Sequence, residues 1–426
     1  MVLSQRPLNG GISDHMHILF LTDNFPPEVN APASRTFEHC REWVRQGAQV
    51  TVITCAPNFP KGEVFAGYRN SLWQSEVVDG IRVIRVWTYI AANEGFVRRI
   101  LDYVSFMLSA VFAAFFVRRV DVVIGTSPQF FTACAAYLTG LFKRRPWIFE
   151  LRDIWPESIR AVDAMETSWA LEFLEKIELF LYRRADAIVS VTHSFKASLI
   201  ARGVDGNKIR VVTNGVDSAR FKPLKKDATL VKALELEDKF VAGYIGTHGL
   251  AHALDTVLDA AKRLALHENA DRFRIILLGD GASKASLQER ANVEGIANVV
   301  FVDSVSKDDV VRYWSLLDVS IIHLRKTDLF TSVIPSKLFE CMAMGIPVLH
   351  GVRGESAEIV ERTGVGEIFE PENANALCDA LFKMCSDQTK YNAARDRGPS
   401  AAKEFDREVL AARMLKIVRD LAEKSS

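Results

Sequence analysis

Short apolar runs alternate with stretches of helical spacing along most of the chain. The first run, HILFLT within Met16–Thr22, is unbroken, as expected of a strand buried on both faces. A polar loop, DNFPPEVNAPASR, follows it. Then come a helical stretch over Ser34–Gln46, closed by Gly47, and a second buried strand, AQVTVITC. This strand–helix–strand order predicts a βαβ unit and a parallel sheet. The pattern continues through VDGIRVIRVW, VDVVIGTS, PWIFELRD, ADAIVSVT and KIRVVTNGVD. After Asp217 the texture turns polar and Lys-rich, which reads as a linker. The theme then restarts with KFVAGYIG, FRIILLGDG, NVVFVDSV, DVSIIHL and IPVLHGV, and the chain closes on an amphipathic helix. The prediction is an α/β protein of two doubly wound, Rossmann-like domains facing across a cleft. Residues 1–16 form a leader, 17–217 the first domain, 218–235 a linker, 236–400 the second domain and 401–426 the final helix.

Composition narrows the function. The 426 residues are 49% apolar and 25% charged, which is ordinary globular usage. Lys plus Arg and Asp plus Glu both total 53, so no global affinity for polyanions is suggested. The six cysteines show no CxxC or zinc-finger spacing and read as free thiols of a reducing compartment. The first residues lack the apolar core of a signal peptide, so a cytoplasmic location is expected. No P-loop, no HExxH and no metal-binding carboxylate pair is present; neither a metal nor a cofactor is expected.

In doubly wound folds, ligands bind beyond the carboxyl ends of the strands. Three such segments carry chemistry. Gly246-Thr247-His248-Gly249 is a strand-to-helix loop whose amides suit phosphate, with His248 and His252 as added donors; the bland alternative is a steric glycine turn with exposed histidines. In IPSKLFECMAMGIPVL, Pro335 suits a helix start, and Lys337 and Glu340 share one helical face. A lysine in the first turn opposes the helix dipole and is mildly unfavourable there; it becomes sensible if an anion sits at that end. A solvated ion pair is the alternative, and it fits poorly with so apolar a helix. In FELRDIWPES, Arg152, Asp153 and Glu157 follow a buried strand; either they line a site or Arg152 and Asp153 pair structurally.

Ile100–Val117 is apolar but short for a membrane span, and it carries Asp102. It reads as a core helix or as a helix lying on a membrane. Between Phe96 and Arg145 there are seven Lys/Arg and two Asp/Glu, an excess of five that favours anionic lipid or a diphosphate lipid and peripheral contact through residues 96–119.

Taken together, FPPEVNAPASR, RDIWPES, VVTNGVDSARFKP, GYIGTHGLAHALDTVLDA, LLGDG and PSKLFECMAMGIPVL with GESAEIV resemble glycosyltransferase family 4. These are retaining nucleotide-sugar transferases of the GT-B fold, and the likeness is strongest to the WbuB-like transferases of bacterial surface polysaccharide assembly. It spans nearly the whole chain. It implies a final helix returning to the first domain, a donor site in the second and an acceptor site in the first. Glu340 matches the second Glu of the family's Glu-x7-Glu motif, expected to hold the donor ribose, and Ser332 stands where the first would be. Thr247 and His252 occupy the slots of the usual diphosphate-gripping Arg and Lys. The implied donor set is therefore Gly246, Thr247, His248, Gly249, His252, Gly279, Lys337 and Glu340. Arg152 takes the place of the family's active-site His, so Arg152, Asp153 and Lys337 form the implied catalytic set. The early Gly-Gly loop is replaced by Asn30-Ala31, which with Arg35 and Glu157 gives the implied acceptor set.

The expected reaction is transfer of a sugar, in the first instance an N-acetylated one, from a UDP-sugar to a lipid-linked or glycan acceptor. No nucleic-acid partner is expected. A UDP-sugar 2-epimerase on the same architecture and a non-catalytic partner subunit are the rival readings.

Overall fold

The computed structural model describes residues 16–59, 61–90, 96–154, 169–306 and 308–425. The chain divides into two units, each built around its own sheet.

The first unit holds an eight-stranded sheet, ordered β3-β4-β2-β1-β5-β6-β7-β8. Its strands are β1 (His17–Leu21), β2 (Gln49–Cys55), β3 (Trp73–Val78), β4 (Ile81–Val86), β5 (Val122–Thr126), β6 (Trp147–Leu151), β7 (Ala187–Ser190) and β8 (Ile209–Val211). All neighbours are parallel except β3 and β4. The β3–β4 hairpin turns on Asp79-Gly80, both at positive φ, the backbone a two-residue turn needs. Helix α1 (Ala31–Arg45) begins three residues earlier than its apolar spacing predicts. The reason is Asn30, whose Oδ1 accepts the Ala33 amide at 2.8 Å and caps the helix.

Helix α2 (Phe96–Phe115) buries Phe106, Ala110, Ala113 and Ala114 along one stripe. A second stripe, Leu101, Leu108, Phe112 and Phe115, is exposed, as are Phe116 and Leu141. Leu141 lies on helix α3 (Phe130–Lys143), where the Phe142 ring stacks on Phe115 with centroids 4.0 Å apart. Among the described residues, no helix is long and apolar enough to cross a membrane.

The second unit holds a six-stranded parallel sheet, ordered β11-β10-β9-β12-β13-β14. Its strands are β9 (Phe240–Ile245), β10 (Phe273–Leu278), β11 (Val299–Val302), β12 (Val319–His323), β13 (Val348–Gly351) and β14 (Gly366–Ile368). The period of two shows in β10: Ile276 and Leu278 enter one core layer, Ile275 and Leu277 the other. Both sheets match the GT-B expectation of paired Rossmann-like domains.

The boundaries differ from the predicted ones. The second unit comprises Thr192–Ser198 and Thr213–Leu410, whereas Ala411–Ser426 belongs to the first. The expected linker, 218–235, is part of the second unit. Phe221 lies in its core, and Leu230, Val231 and Leu234 of the same stretch pack against that core. Asp227 caps a short helix there, Ala228–Ala233. Polar composition had hidden this anchoring.

Candidate active site

In the second unit, the ends of β9 and β10 are drawn together backbone to backbone. Gly246 N donates to Leu278 O at 2.9 Å, His248 N to Asp280 O at 2.8 Å and Ser283 N to His248 O at 2.8 Å. Gly279 sits at φ +146, and a Cβ there would lie 1.9 Å from Gly246 O, so this approach demands glycine. Gly246, at φ +148, would drive a Cβ to 2.7 Å from Lys337 Nζ.

Lys337 opens the helix Lys337–Met344, whose start at Ser336 has no side-chain cap. Its stem is partly exposed, but its ammonium is buried and makes no hydrogen bond to any described residue. The Nζ rests 3.6 Å from the centroid of the Tyr244 ring, a cation–π contact. The Tyr244 hydroxyl in turn donates to Thr247 O at 2.8 Å. Burial pushes the Lys337 ammonium down to about 8. This is a cation held dry at a helix start, without a carboxylate in hydrogen-bond reach.

The other residues of the expected donor set surround it unequally. His248 is buried and Thr247 exposed. His252 packs its ring 5.7 Å from Tyr244, and burial together with Lys337 brings it down to about 4, so it is a neutral imidazole at pH 7. The expected role of His252 as an anion partner is thereby reduced to that of a neutral N–H donor. Its carbonyl accepts His323 Nδ1 at 2.8 Å, which fixes the loop. Gly249 precedes the Leu250–His252 turn, and Glu340 lies one helical turn beyond Lys337, half-buried. The Ser332 hydroxyl turns back to Leu329 O at 3.2 Å and does not substitute for a carboxylate.

In the first unit, Ser127 ties down the predicted catalytic pair. Its Oγ accepts the Arg152 amide at 2.8 Å and the Asp153 amide at 3.2 Å. Nε and Nη1 of Arg152 are buried without hydrogen bonds to the described residues, and burial lowers this guanidinium to about 10. Burial alone would raise Glu150 on β6, but Arg35, Arg152 and His39 outweigh it and bring the carboxyl down to about 2.

Arg35 departs from its expected acceptor role. Its Nε bonds Glu150 Oε1 at 2.9 Å and its Nη2 bonds Val212 O at 2.9 Å, so it is a buried structural cation. Asn30 lines a cavity in the first unit and Ala31 is the exposed first residue of α1. Glu157 lies outside the described residues.

Tyr244 and Glu355 escaped the sequence reading. Glu355 is buried and accepts His193 N at 2.9 Å and Ser194 N at 2.8 Å, capping the helix His193–Ala201. It fell within GESAEIV, but nothing local to that motif tells where its carboxylate points. Among the described residues, no group of His, Cys, Asp and Glu is arranged to hold a metal ion.

Comparison with known proteins decides the family. A family model described as "Glycosyl transferase 4-like domain" matches residues 30–215, and one described as "Glycosyl transferases group 1" matches residues 239–387. The chain belongs to glycosyltransferase family 4. It is a GT-B glycosyltransferase. WcaI of Escherichia coli, named for colanic acid biosynthesis, is 26% identical over 381 residues, 85% of this chain and 90% of that protein. The sucrose-phosphate synthase of Thermosynechococcus elongatus superposes with a TM-score of 0.75 at 16% identity, covering 96% of this chain and all of that one. Anabaena HepE, solved with UDP-glucose, superposes with a TM-score of 0.68 at 16% identity, covering 96% of this chain and all of that one.

Proposed function

We propose that this glycosyltransferase moves a sugar, with retention, from a UDP-sugar to a lipid-linked acceptor in surface polysaccharide assembly. The donor would bind on the second unit and the acceptor on the first. One observation carries the donor assignment: the buried, hydrogen-bond-free ammonium of Lys337 on the Tyr244 ring. Burying a cation without a counter-charge is costly, and an arriving diphosphate would offset that cost. In the proposed reaction the bond from the sugar C1 to the β-phosphate oxygen breaks as the acceptor oxygen attacks the same face. The acceptor's proton passes to the departing phosphate oxygen. Charge thus grows on UDP, where Lys337 and loop amides would stabilise it. Glu340 would accept hydrogen bonds from the ribose hydroxyls.

The UDP of HepE and the colanic acid pathway named for WcaI support nucleotide and pathway class respectively. The N-acetylated sugar rests on the sequence resemblance. Peripheral membrane contact is supported by the exposed stripe of α2 together with exposed Arg98, Arg118 and Arg119.

Calorimetric titration with UDP, and with GDP in parallel, tests the donor site. Lys337→Ala and Glu340→Ala should each weaken UDP by about tenfold or more, the worth of a charge-assisted hydrogen bond. Unchanged affinity in both variants would remove the assignment. Incubation with a UDP-sugar alone separates the epimerase reading, since an epimerase converts its donor without an acceptor.

A further inference from the structure

The first unit contains a cavity of about 280 Å³ at the carboxyl ends of its central strands, closed on one side by the first turns of α2. Its position is where doubly wound sheets bind ligands. Its size suits a single sugar ring rather than a nucleotide. Among the described residues, three carboxylates line it, Asp23 after β1, Glu28 in the following loop and Asp102 on α2, with Arg99 the one cation on its wall. Glu28 Oε1 is engaged by the amides of Asn58 at 2.8 Å and Phe59 at 2.9 Å and braces the loop after β2. Asp102 Oδ1 takes the Thr88 hydroxyl at 2.7 Å. Burial raises all three acids, Asp102 to about 6. Such a wall repels phosphates and uronates, while carboxylate and amide oxygens accept hydroxyl protons. Tyr103 adds an aromatic face.

We infer that this cavity binds the neutral terminal sugar of the acceptor, through hydroxyl bonds to Asp23, Asn58 and Asp102 and ring contact with Tyr103. The inference deepens, and rests on, the proposal of a lipid-linked acceptor. It adds the chemical class of sugar and a reason for that arrangement. Helix α2 lines the cavity with Asp102, Tyr103 and Phe106, while Leu101, Leu108 and Phe112 of the same helix face outward. A sugar in the cavity would therefore lie one helix thickness from a lipid surface under that outer face, so its lipid tail need not leave the membrane.

Saturation-transfer NMR on the full chain, with octyl glycosides of glucose, galactose, mannose and N-acetylglucosamine and with octyl glucuronide, tests this. At least one neutral glycoside should bind, the matching methyl glycoside should compete with it, and the glucuronide should not bind. Asp102→Asn and Tyr103→Ala should each weaken binding about tenfold, the worth of one such contact, with melting temperature and UDP affinity unchanged. Tyr103→Ala supplies the answer if Asp102→Asn fails to fold. The inference is overturned if no neutral glycoside binds, if methyl glycosides fail to compete, if the glucuronide binds equally well, or if the folded variants bind like the parent. Loss of UDP binding by the parent protein would instead sink the donor assignment and leave this result standing.

Discussion

Under the proposed donor assignment, Lys337 makes nucleotide affinity depend on pH. Burial lowers its ammonium from 10.5 to about 8. The sign follows from proton counting. Below pH 8 the folded protein carries a buried charge that the unfolded chain keeps in water, so the cost to folding is full there. It is relieved as pH rises from 8 toward 10.5. A bound diphosphate would favour the charged form and raise the group again. UDP affinity is therefore expected to be flat near pH 7 and to fall about tenfold per pH unit above 8. Lys337→Met should bind weakly with no such slope. Calorimetry between pH 7 and 9.5 checks this, and a wild-type slope that persists in Lys337→Met would defeat it. Lys337 and Glu340 could be singled out from sequence because the signals are local: a Pro that starts a helix, a misplaced charge and an i,i+3 spacing. Tyr244 could not. Its partner lies far along the chain, and nothing in KFVAGYIG shows that the ring will lie under an ammonium. Arg35 on α1 was misassigned for the same reason, since its partner Glu150 stands on β6, 115 residues away.

At the scale of elements, unbroken apolar runs were the most legible feature, because a central parallel strand must be apolar on both faces. Edge and surface elements were not. β3 alternates half-buried and exposed positions, and only the Asp79-Gly80 turn marks its hairpin. For α2, sequence left the core and membrane-surface readings open. The structure gives it one buried and one exposed apolar stripe, so it is a core helix along one face and leaves a second apolar face outward. Arg98, Arg118 and Arg119, at about 1 kcal/mol each on an anionic surface, make a preference of roughly a hundredfold for charged vesicles. Flotation with phosphatidylglycerol vesicles should capture the protein. Replacing Arg98, Arg118 and Arg119 with Ser should release it, and Phe112→Ser should weaken capture through the apolar term. Equal capture by phosphatidylcholine vesicles, or none by either, would refute membrane docking by this face.

For the whole molecule, the decisive element is the last one. The helix Arg407–Ser425 starts in the second unit and ends in the first, the division falling between Leu410 and Ala411. Its start is tied down by main-chain bonds: Val216 N donates to Phe405 O at 2.9 Å and Arg407 N to Val216 O at 3.0 Å. Its far part serves the first unit. Ala411, Met414, Leu415 and Val418 are all buried, and Ala411 O accepts the Trp43 indole N–H at 2.9 Å. Trp43 sits on α1, so a helix 368 residues away in sequence helps complete the core of the first unit. Leu415→Ala should therefore cost about 2–4 kcal/mol, the range for a buried leucine that leaves a cavity. That cost belongs to the first unit. Denaturant unfolding followed by tryptophan fluorescence should show a lowered midpoint, and titration of the folded variant should show unchanged UDP affinity, because Lys337, Tyr244 and Gly246 all belong to the other unit. A variant that kept its midpoint would deny the helix this structural role. One that kept its fold but lost UDP would show that the final helix governs the donor site as well.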